Sequence, residues 1–109
     1  MTGRFIIYPK ADRDIDSHAD YLAVKASAEV AARFLEAASR TFALLATQPQ
    51  MGWRSRVRLR ELKQLRVFRV EGFAERLIIY RPIESGVAIL RVVPGTSNLR
   101  SLLRRDGIS

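Results

Sequence analysis

Cysteine is absent from the 109-residue sequence, and histidine occurs once, at His18. Without cysteine the chain cannot form disulfides, thiol nucleophiles or thiolate metal sites. A single histidine makes multi-histidine metal sites and most Ser-His-Asp arrangements hard to build. No apolar run approaches the roughly 18–20 residues of a membrane-spanning helix, and the N-terminus has no signal-peptide pattern. We therefore expect a cytoplasmic protein that uses no metal and no cofactor.

The chain is expected to fold as a single domain over residues 1–109. Its length is near the commonest size of a protein domain. Its 48% hydrophobic and 28% charged residues are normal for a soluble globular protein. No internal repeat, low-complexity tract or glycine-serine linker interrupts it.

The N-terminal half predicts one strand followed by two helices. Residues 5–8 are apolar and rich in β-formers, which is typical of a strand buried on both faces. Apolar residues then recur at spacings of three and four over residues 11–25 and 28–47, and Ser27 can cap the second helix. Because the link between the helices is short, they must form an antiparallel hairpin.

The hydrophobic period changes from 3.6 to 2 after residue 64. Strands are predicted over residues 65–70, 76–80 and 87–93, with a short helix after them. Consecutive strands joined by short turns form an antiparallel meander. The predicted fold class is therefore α+β: an N-terminal strand and an antiparallel two-helix hairpin packed on an antiparallel β-sheet, in the order β-α-α-β-β-β.

Positive charge is concentrated in the second half of the chain. The net charge is +8, yet the first 50 residues hold six basic and six acidic side chains, and the rest hold 13 basic and five acidic ones. Most of these basic residues are arginine, which suits planar two-point recognition of carboxylate or phosphate. The pattern favours a negatively charged partner over a role in solubility alone.

Arginine alternates with other residues in the segment RSRVRLR at residues 54–60. In an extended chain, side chains two apart share a face, so the four guanidinium groups would form one cationic row. The row either binds an acidic partner, which removes the repulsion between the cations, or protects a sheet edge from aggregation. We favour binding, because edge protection needs only one or two charges.

Three other features have ordinary structural interpretations. Trp53 is either an interface anchor or, more commonly for a lone tryptophan, a lid on the core. Asp12, Asp16 and Asp20 lie four apart on one helix face and indicate a solvated surface rather than a metal site. His18 lies in mid-helix, far in sequence from the arginines, and indicates a structural or surface histidine.

No nucleophile or matched acid–base pair accompanies the arginines. Glu61 and Glu84 are isolated in the sequence, and no glycine-rich phosphate-binding motif occurs. Arginines can stabilise phosphate charge, but RNA cleavage also needs proton transfer. We therefore predict a binding protein with no catalytic residues.

Several short motifs follow one another along the chain. They are Tyr21-Leu22, the run from Phe34 to Leu45, Pro49-x-Met51-Gly52, the segment from Glu61 to Phe73, Ile79-Tyr80-Arg81, and the segment from Gly86 to Val92. Their order and spacing resemble the ParE toxins of the RelE/ParE superfamily of toxin–antitoxin systems. The resemblance covers nearly the whole chain, from about Phe5 to Leu103.

The resemblance implies a toxin that inhibits DNA gyrase by protein–protein binding. It also implies a ParD-like antitoxin with a ribbon-helix-helix DNA-binding part and a C-terminal segment that wraps the toxin, so that DNA is contacted only through the antitoxin. Taken with the charge pattern, it predicts arginines that bind the antitoxin or the target: Arg54, Arg56, Arg58, Arg60, Arg66, Arg69, Arg81 and Arg91.

Two departures from the superfamily's patterns bear on this function. RelE relatives cleave messenger RNA on the ribosome with basic residues and a late tyrosine. Arg66 matches one of their strand arginines, and Arg58 and Arg60 can stand for the earlier basic pair, but no tyrosine follows Tyr80. That absence counts against an mRNA interferase of the RelE type, which is the first alternative function.

The second departure lies at the end of the last strand. The family pattern there reads His-Gly-x-Arg, whereas this chain has Pro94-Gly95-Thr96-Ser97. If that segment is needed for toxicity, the protein would bind its antitoxin without poisoning a target. A non-toxic antitoxin-binding module is therefore the other alternative.

Overall fold

The structure is a computed structural model that describes residues 3–54 and 64–105. The predicted order of strand, helical hairpin, three strands and terminal helix is confirmed, with one additional two-residue strand before the meander. The elements are β1 (Arg4–Ile7), α1 (Pro9–Lys25), α2 (Ala28–Thr47), β2 (Trp53–Arg54), β3 (Arg66–Val70), β4 (Phe73–Ile83), β5 (Gly86–Pro94) and α3 (Leu99–Arg105).

Local sequence sets where the two long helices begin. Pro9 starts α1, where a missing backbone N–H costs no hydrogen bond. The Ser27 hydroxyl caps α2 by accepting a 3.1 Å hydrogen bond from the backbone N–H of Val30. Only residues 26 and 27 separate the helices, so α2 folds back along α1 and the predicted hairpin forms.

The five strands form one sheet in the order β1-β5-β4-β3-β2. Strands β2 to β5 are antiparallel neighbours, as the meander predicts. Strand β1 pairs with β5 in parallel, so the sheet is mixed. A parallel pair needs a long crossover, which the helical hairpin and the first strands of the meander provide. Gly72 turns β3 into β4 with a φ of 82°, a conformation that side-chain-bearing residues rarely adopt.

Apolar side chains are buried on both faces of the sheet. The larger cluster packs α1 and α2 on one face and includes Ile15, Phe34, Phe42, Leu45, Ile78, Tyr80 and Ile89. The smaller cluster packs α3 on the other face through Leu103, together with Leu65, Ile79, Ala88, Leu90 and Val93. The sheet is therefore the middle of three layers, with its strands β4 and β5 covered on both sides.

Two burial predictions are wrong. Strand β1 was expected to be buried on both faces, but Ile6 and Ile7 are 48% and 38% exposed because β1 is the edge strand of the sheet. Trp53, expected as a lid on the core, is 44% exposed on the opposite edge strand. A short apolar run or a lone tryptophan does not reveal which strands lie at the edges.

Among the helices of the described residues, none is both long enough and apolar enough to span a membrane.

Candidate partner-binding surface

Two arginines face each other across the edge of the sheet. Arg54 of β2 is paired with Arg66 of β3 in the antiparallel register. Like charges directly opposite one another destabilise a strand pair. Both side chains line a cavity of about 350 Å³, together with Gln50, Gln64 and Pro82. The repulsion between them is relieved when an anionic group enters, so this cavity suits a negatively charged partner.

Hydrogen bonds to the preceding loop hold Arg66 in position. Its Nη1 atom donates to the carbonyl oxygen of Gly52 at 2.7 Å and to that of Gln50 at 3.3 Å. A guanidinium group has five N–H donors, so others remain for a ligand. Arg66 is thereby oriented before any partner arrives, which lowers the entropic cost of binding.

Tyr80 holds the same loop in place through its hydroxyl group. Its hydroxyl accepts a 2.9 Å hydrogen bond from the Gly52 N–H and donates a 2.9 Å hydrogen bond to the Pro49 carbonyl. Burial raises the pKa of Tyr80, so the hydroxyl stays protonated and keeps donating at neutral pH. A side chain on Gly52 would lie within 2.5 Å of that hydroxyl, which explains the glycine. The motifs contained these residues, but their spacing did not predict that they would touch.

Trp53 and Arg69 form a second feature of this edge. The guanidinium carbon of Arg69 lies 5.4 Å from the centre of the Trp53 ring, a cation–π distance. The Trp53 ring also lies 6.4 Å from the ring of Phe68. An exposed tryptophan beside arginines is typical of the residues that anchor protein–protein interfaces. We call Arg54, Arg66, Trp53 and Arg69 the arginine edge.

Two other predicted site arginines are engaged within the molecule. Arg81 on β4 donates a 2.8 Å hydrogen bond to the hydroxyl of Tyr8. Arg91 on β5 donates to both carboxylate oxygens of Asp14 on α1, at 2.7 and 2.9 Å. The structure therefore does not gather all the predicted arginines on one surface. Arg81 and Arg91 are held by Tyr8 and Asp14 and do not line the cavity between Arg54 and Arg66, and their role in partner binding stays a prediction.

The remaining predicted arginines, Arg56, Arg58 and Arg60, lie outside the described residues, as do Glu61 and Lys63. Of the predicted cationic row, the structure describes only its first member, Arg54, in an extended strand.

Sequence reasoning missed Asp14. Its Oδ2 atom also accepts a 3.0 Å hydrogen bond from the Val92 N–H, so it joins α1 to β5 through three contacts. The neighbouring Asp12, Asp16 and Asp20 are exposed, as predicted for a solvated face. Asp14 lies between them in sequence, and no local signal separates it from the solvated set.

His18 is a buried structural residue, in line with the prediction of a structural or surface histidine. The centre of its ring lies 4.7 Å from that of the Phe34 ring, in an edge-to-face arrangement, and 5.8 Å from that of the Tyr21 ring, in a stacked arrangement. Burial lowers the pKa of His18, and the positive charge of Arg76 lowers it further, against a weaker opposing effect of Glu75. His18 is therefore favoured in its neutral form.

The sequence is similar to a known protein family over most of its length. Residues 5–99 match the model of the family described as the ParE toxin of the type II toxin-antitoxin system, parDE. The chain belongs to the ParE toxin family. The matched region spans β1 to the start of α3 and contains the whole arginine edge. No curated protein matched the sequence.

The ParE fold is also seen in a solved structure. A chain from the structure titled "Chromosomal ParDE TA system from P. aeruginosa" is similar to this protein with a TM-score of 0.69 and 19% sequence identity. The match covers 85% of this chain and 96% of that chain. At this identity the likeness establishes the shared fold.

The segment Pro94-Gly95-Thr96-Ser97, which departs from the ParE pattern, forms an ordered turn after β5. The Gly95 N–H donates to the Glu75 carbonyl at 2.8 Å, and the Ser97 N–H donates to the Pro94 carbonyl at 3.0 Å. Pro94 ends the strand, since it has no N–H to continue the ladder. This ParE chain therefore leads into α3 without the arginine that the pattern has there.

Proposed function

We propose that this ParE family protein is a toxin that inhibits DNA gyrase by protein–protein binding, and that a ParD-like antitoxin neutralises it. The arginine edge carries the proposal: two opposed arginines line one cavity beside an exposed tryptophan. The net charge of +8 adds long-range attraction toward acidic surfaces. The family and the ParDE structural neighbour support the toxin–antitoxin assignment.

The antitoxin that fits this surface has a ribbon-helix-helix DNA-binding part and a C-terminal segment that wraps the toxin. An acidic side chain of that segment, placed between Arg54 and Arg66, would remove their mutual repulsion. The toxin acts in the cytoplasm, where gyrase and the antitoxin are both found. It breaks no covalent bond, and its effect comes from occupying a surface of gyrase.

A supercoiling assay tests this function. Purified protein should block gyrase-driven supercoiling of relaxed plasmid, and preincubation with the antitoxin should restore it. Induction in cells should cause filamentation, since replication stops. Normal supercoiling at high protein excess would rule out gyrase as the target.

The mRNA-interferase alternative rests on Arg66, which matches a strand arginine of RelE relatives. Tyr80 is the last tyrosine of the chain, and its hydroxyl is occupied by Gly52 and Pro49. Codon-specific cuts in ribosome-bound message would establish the RelE-type activity. Unimpaired growth on strong induction, with tight antitoxin binding retained, would instead establish the non-toxic binding module.

A further inference from the structure

A cavity of about 350 Å³ lies between α1, the first part of β4 and the end of β5. No residue of the arginine edge lines it. Its lining includes three residues of α1 (Ser17, His18 and Tyr21), two arginines of the sheet (Arg76 and Arg91), and Ser97 of the turn after β5. All these polar side chains therefore lie around one open cleft that the proposed function does not use.

Two buried nitrogen atoms of residues at this cavity have no hydrogen-bond partner within residues 3–54 and 64–105. They are Nε2 of His18, whose side chain is 7% exposed, and Nε of Arg76. Buried polar groups in folded proteins are nearly always hydrogen-bonded, and an exception calls for a missing partner. Both side chains line the cavity, while the two nitrogens themselves are covered, so a group that enters it becomes their partner once the side chains rotate toward it.

Asp14 also lines the cavity, and its carboxylate already has hydrogen-bond partners. Asp14 accepts hydrogen bonds from Nε and Nη2 of Arg91 and from the Val92 N–H. Glu75 opposes the effect of Arg76 on the pKa of His18, but it is the weakest of the three influences there. Burial and the positive charge of Arg76 therefore outweigh Glu75 in their effect on the pKa of His18, and an anion beside Arg76 would balance that positive charge.

We propose that this cavity binds one oxyanion group, a carboxylate or a phosphate, which accepts hydrogen bonds from Arg76 Nε and His18 Nε2. Arginine Nε is always a donor, and the histidine nitrogen donates in its Nε2–H tautomer or as imidazolium. The hydroxyls of Ser17, Tyr21 and Ser97 line the same space and can donate to the remaining oxygens. An acidic side chain of a protein partner and free phosphate both have this chemistry. The site is independent of gyrase inhibition.

Nuclear magnetic resonance of the imidazole nitrogens tests the site directly. His18 is the only histidine, so its ring signals need no separation from others. Inorganic phosphate and a short acetylated glutamate peptide are titrated separately at constant ionic strength. We expect a saturable shift of the Nε2 signal and a rise of about one unit in the pKa of His18, because a bound anion favours the charged ring.

The two titrations distinguish the sources of the oxyanion. A response to phosphate alone supports a free-phosphate site, a response to the peptide alone supports a carboxylate from a partner, and a response to both supports the shared chemistry. No response to either ligand overturns the proposal. So does a response equal to that produced by sodium chloride at the same ionic strength.

Matched variants locate the response at this cavity. Arg76→Gln should abolish the His18 shift, and Arg33→Gln should leave it unchanged, since Arg33 is exposed on α2 and does not line the cavity. An unaltered shift in Arg76→Gln overturns the assignment. Should Arg76→Gln not fold, Arg76→Lys retains the charge but lacks the Nε–H donor, and it should reduce affinity at least about tenfold, as loss of a charged hydrogen bond does.

Discussion

The guanidinium group of Arg91 and the carboxylate of Asp14 form a two-point ion pair that joins β5 to α1 across 77 positions of sequence. Both side chains are largely buried, at 14% and 17% exposure. A pair with this geometry sets where the helical hairpin lies on the sheet, in addition to any energy it contributes. Charge-assisted two-point hydrogen bonds have strict directional requirements, which apolar packing lacks.

Breaking this pair should destabilise the protein. Asp14→Asn leaves the Arg91 charge without its carboxylate, and we expect a loss of about 2–3 kcal/mol in the free energy of unfolding. Urea denaturation measures it. Asp16→Asn, on the exposed face of the same helix, serves as the control and should change stability by no more than about 0.5 kcal/mol. Equal stability of the two variants would show that the ion pair is energetically neutral.

The tyrosine beneath the arginine edge gives a second prediction. Tyr80→Phe removes the partner of the Gly52 N–H and of the Pro49 carbonyl, and should cost about 1–3 kcal/mol of stability. Because Arg66 donates to the Gly52 carbonyl, the same change should also weaken antitoxin binding. Thermal unfolding and calorimetric titration measure the two effects. Tyr21→Phe is the control for stability, since Tyr21 is 54% exposed on α1. Unchanged antitoxin binding by Tyr80→Phe would show that this loop does not contribute to the binding interface.

Much of the fold follows from the periodicity of apolar residues. A helix that packs on a core repeats them about every 3.6 residues, and a strand repeats them every 2 residues. The helical hairpin and the meander are predicted for that reason. The position of β1 is not, since an apolar run such as residues 5–8 fits a central strand and an edge strand equally well. Only pairing with β5, some 80 residues later in the chain, determines which it is.

The candidate site is predicted less completely, because charge alone does not reveal a partner within the molecule. Arg54 and Arg66 meet because strand register sets them opposite each other. Arg91 belongs to the same charged half, yet it bonds a carboxylate on the first helix. Asp14 and Asp16 look alike in sequence, and they differ only in which of them faces β5. Local patterns hold no information on such long-range pairs.

Neutralising the cationic row should weaken partner binding through electrostatics. The combined change of Arg54, Arg56, Arg58 and Arg60 to glutamine should lower antitoxin affinity and flatten its dependence on salt, since fewer charges are screened. Association rates measured over a range of salt concentrations test this. The charge-matched control changes four exposed arginines elsewhere, Arg33, Arg40, Arg100 and Arg104. If both variants lose the same affinity and salt slope, net charge rather than the row accounts for binding.

The stability of the protein should fall as the pH is lowered from about 7 to 5. The pKa of His18 lies below its ordinary value of 6.5, first because of burial and then because of Arg76. The unfolded chain therefore takes up a proton near pH 6.5 that the folded chain resists, and folding loses free energy as the pH drops below that value. Denaturation midpoints of the protein and of His18→Gln, measured across this range in a buffer free of phosphate and carboxylate, test the effect. The variant should show a flatter profile, because glutamine does not titrate. Parallel profiles would mean that His18 is protonated equally well in the folded and unfolded states.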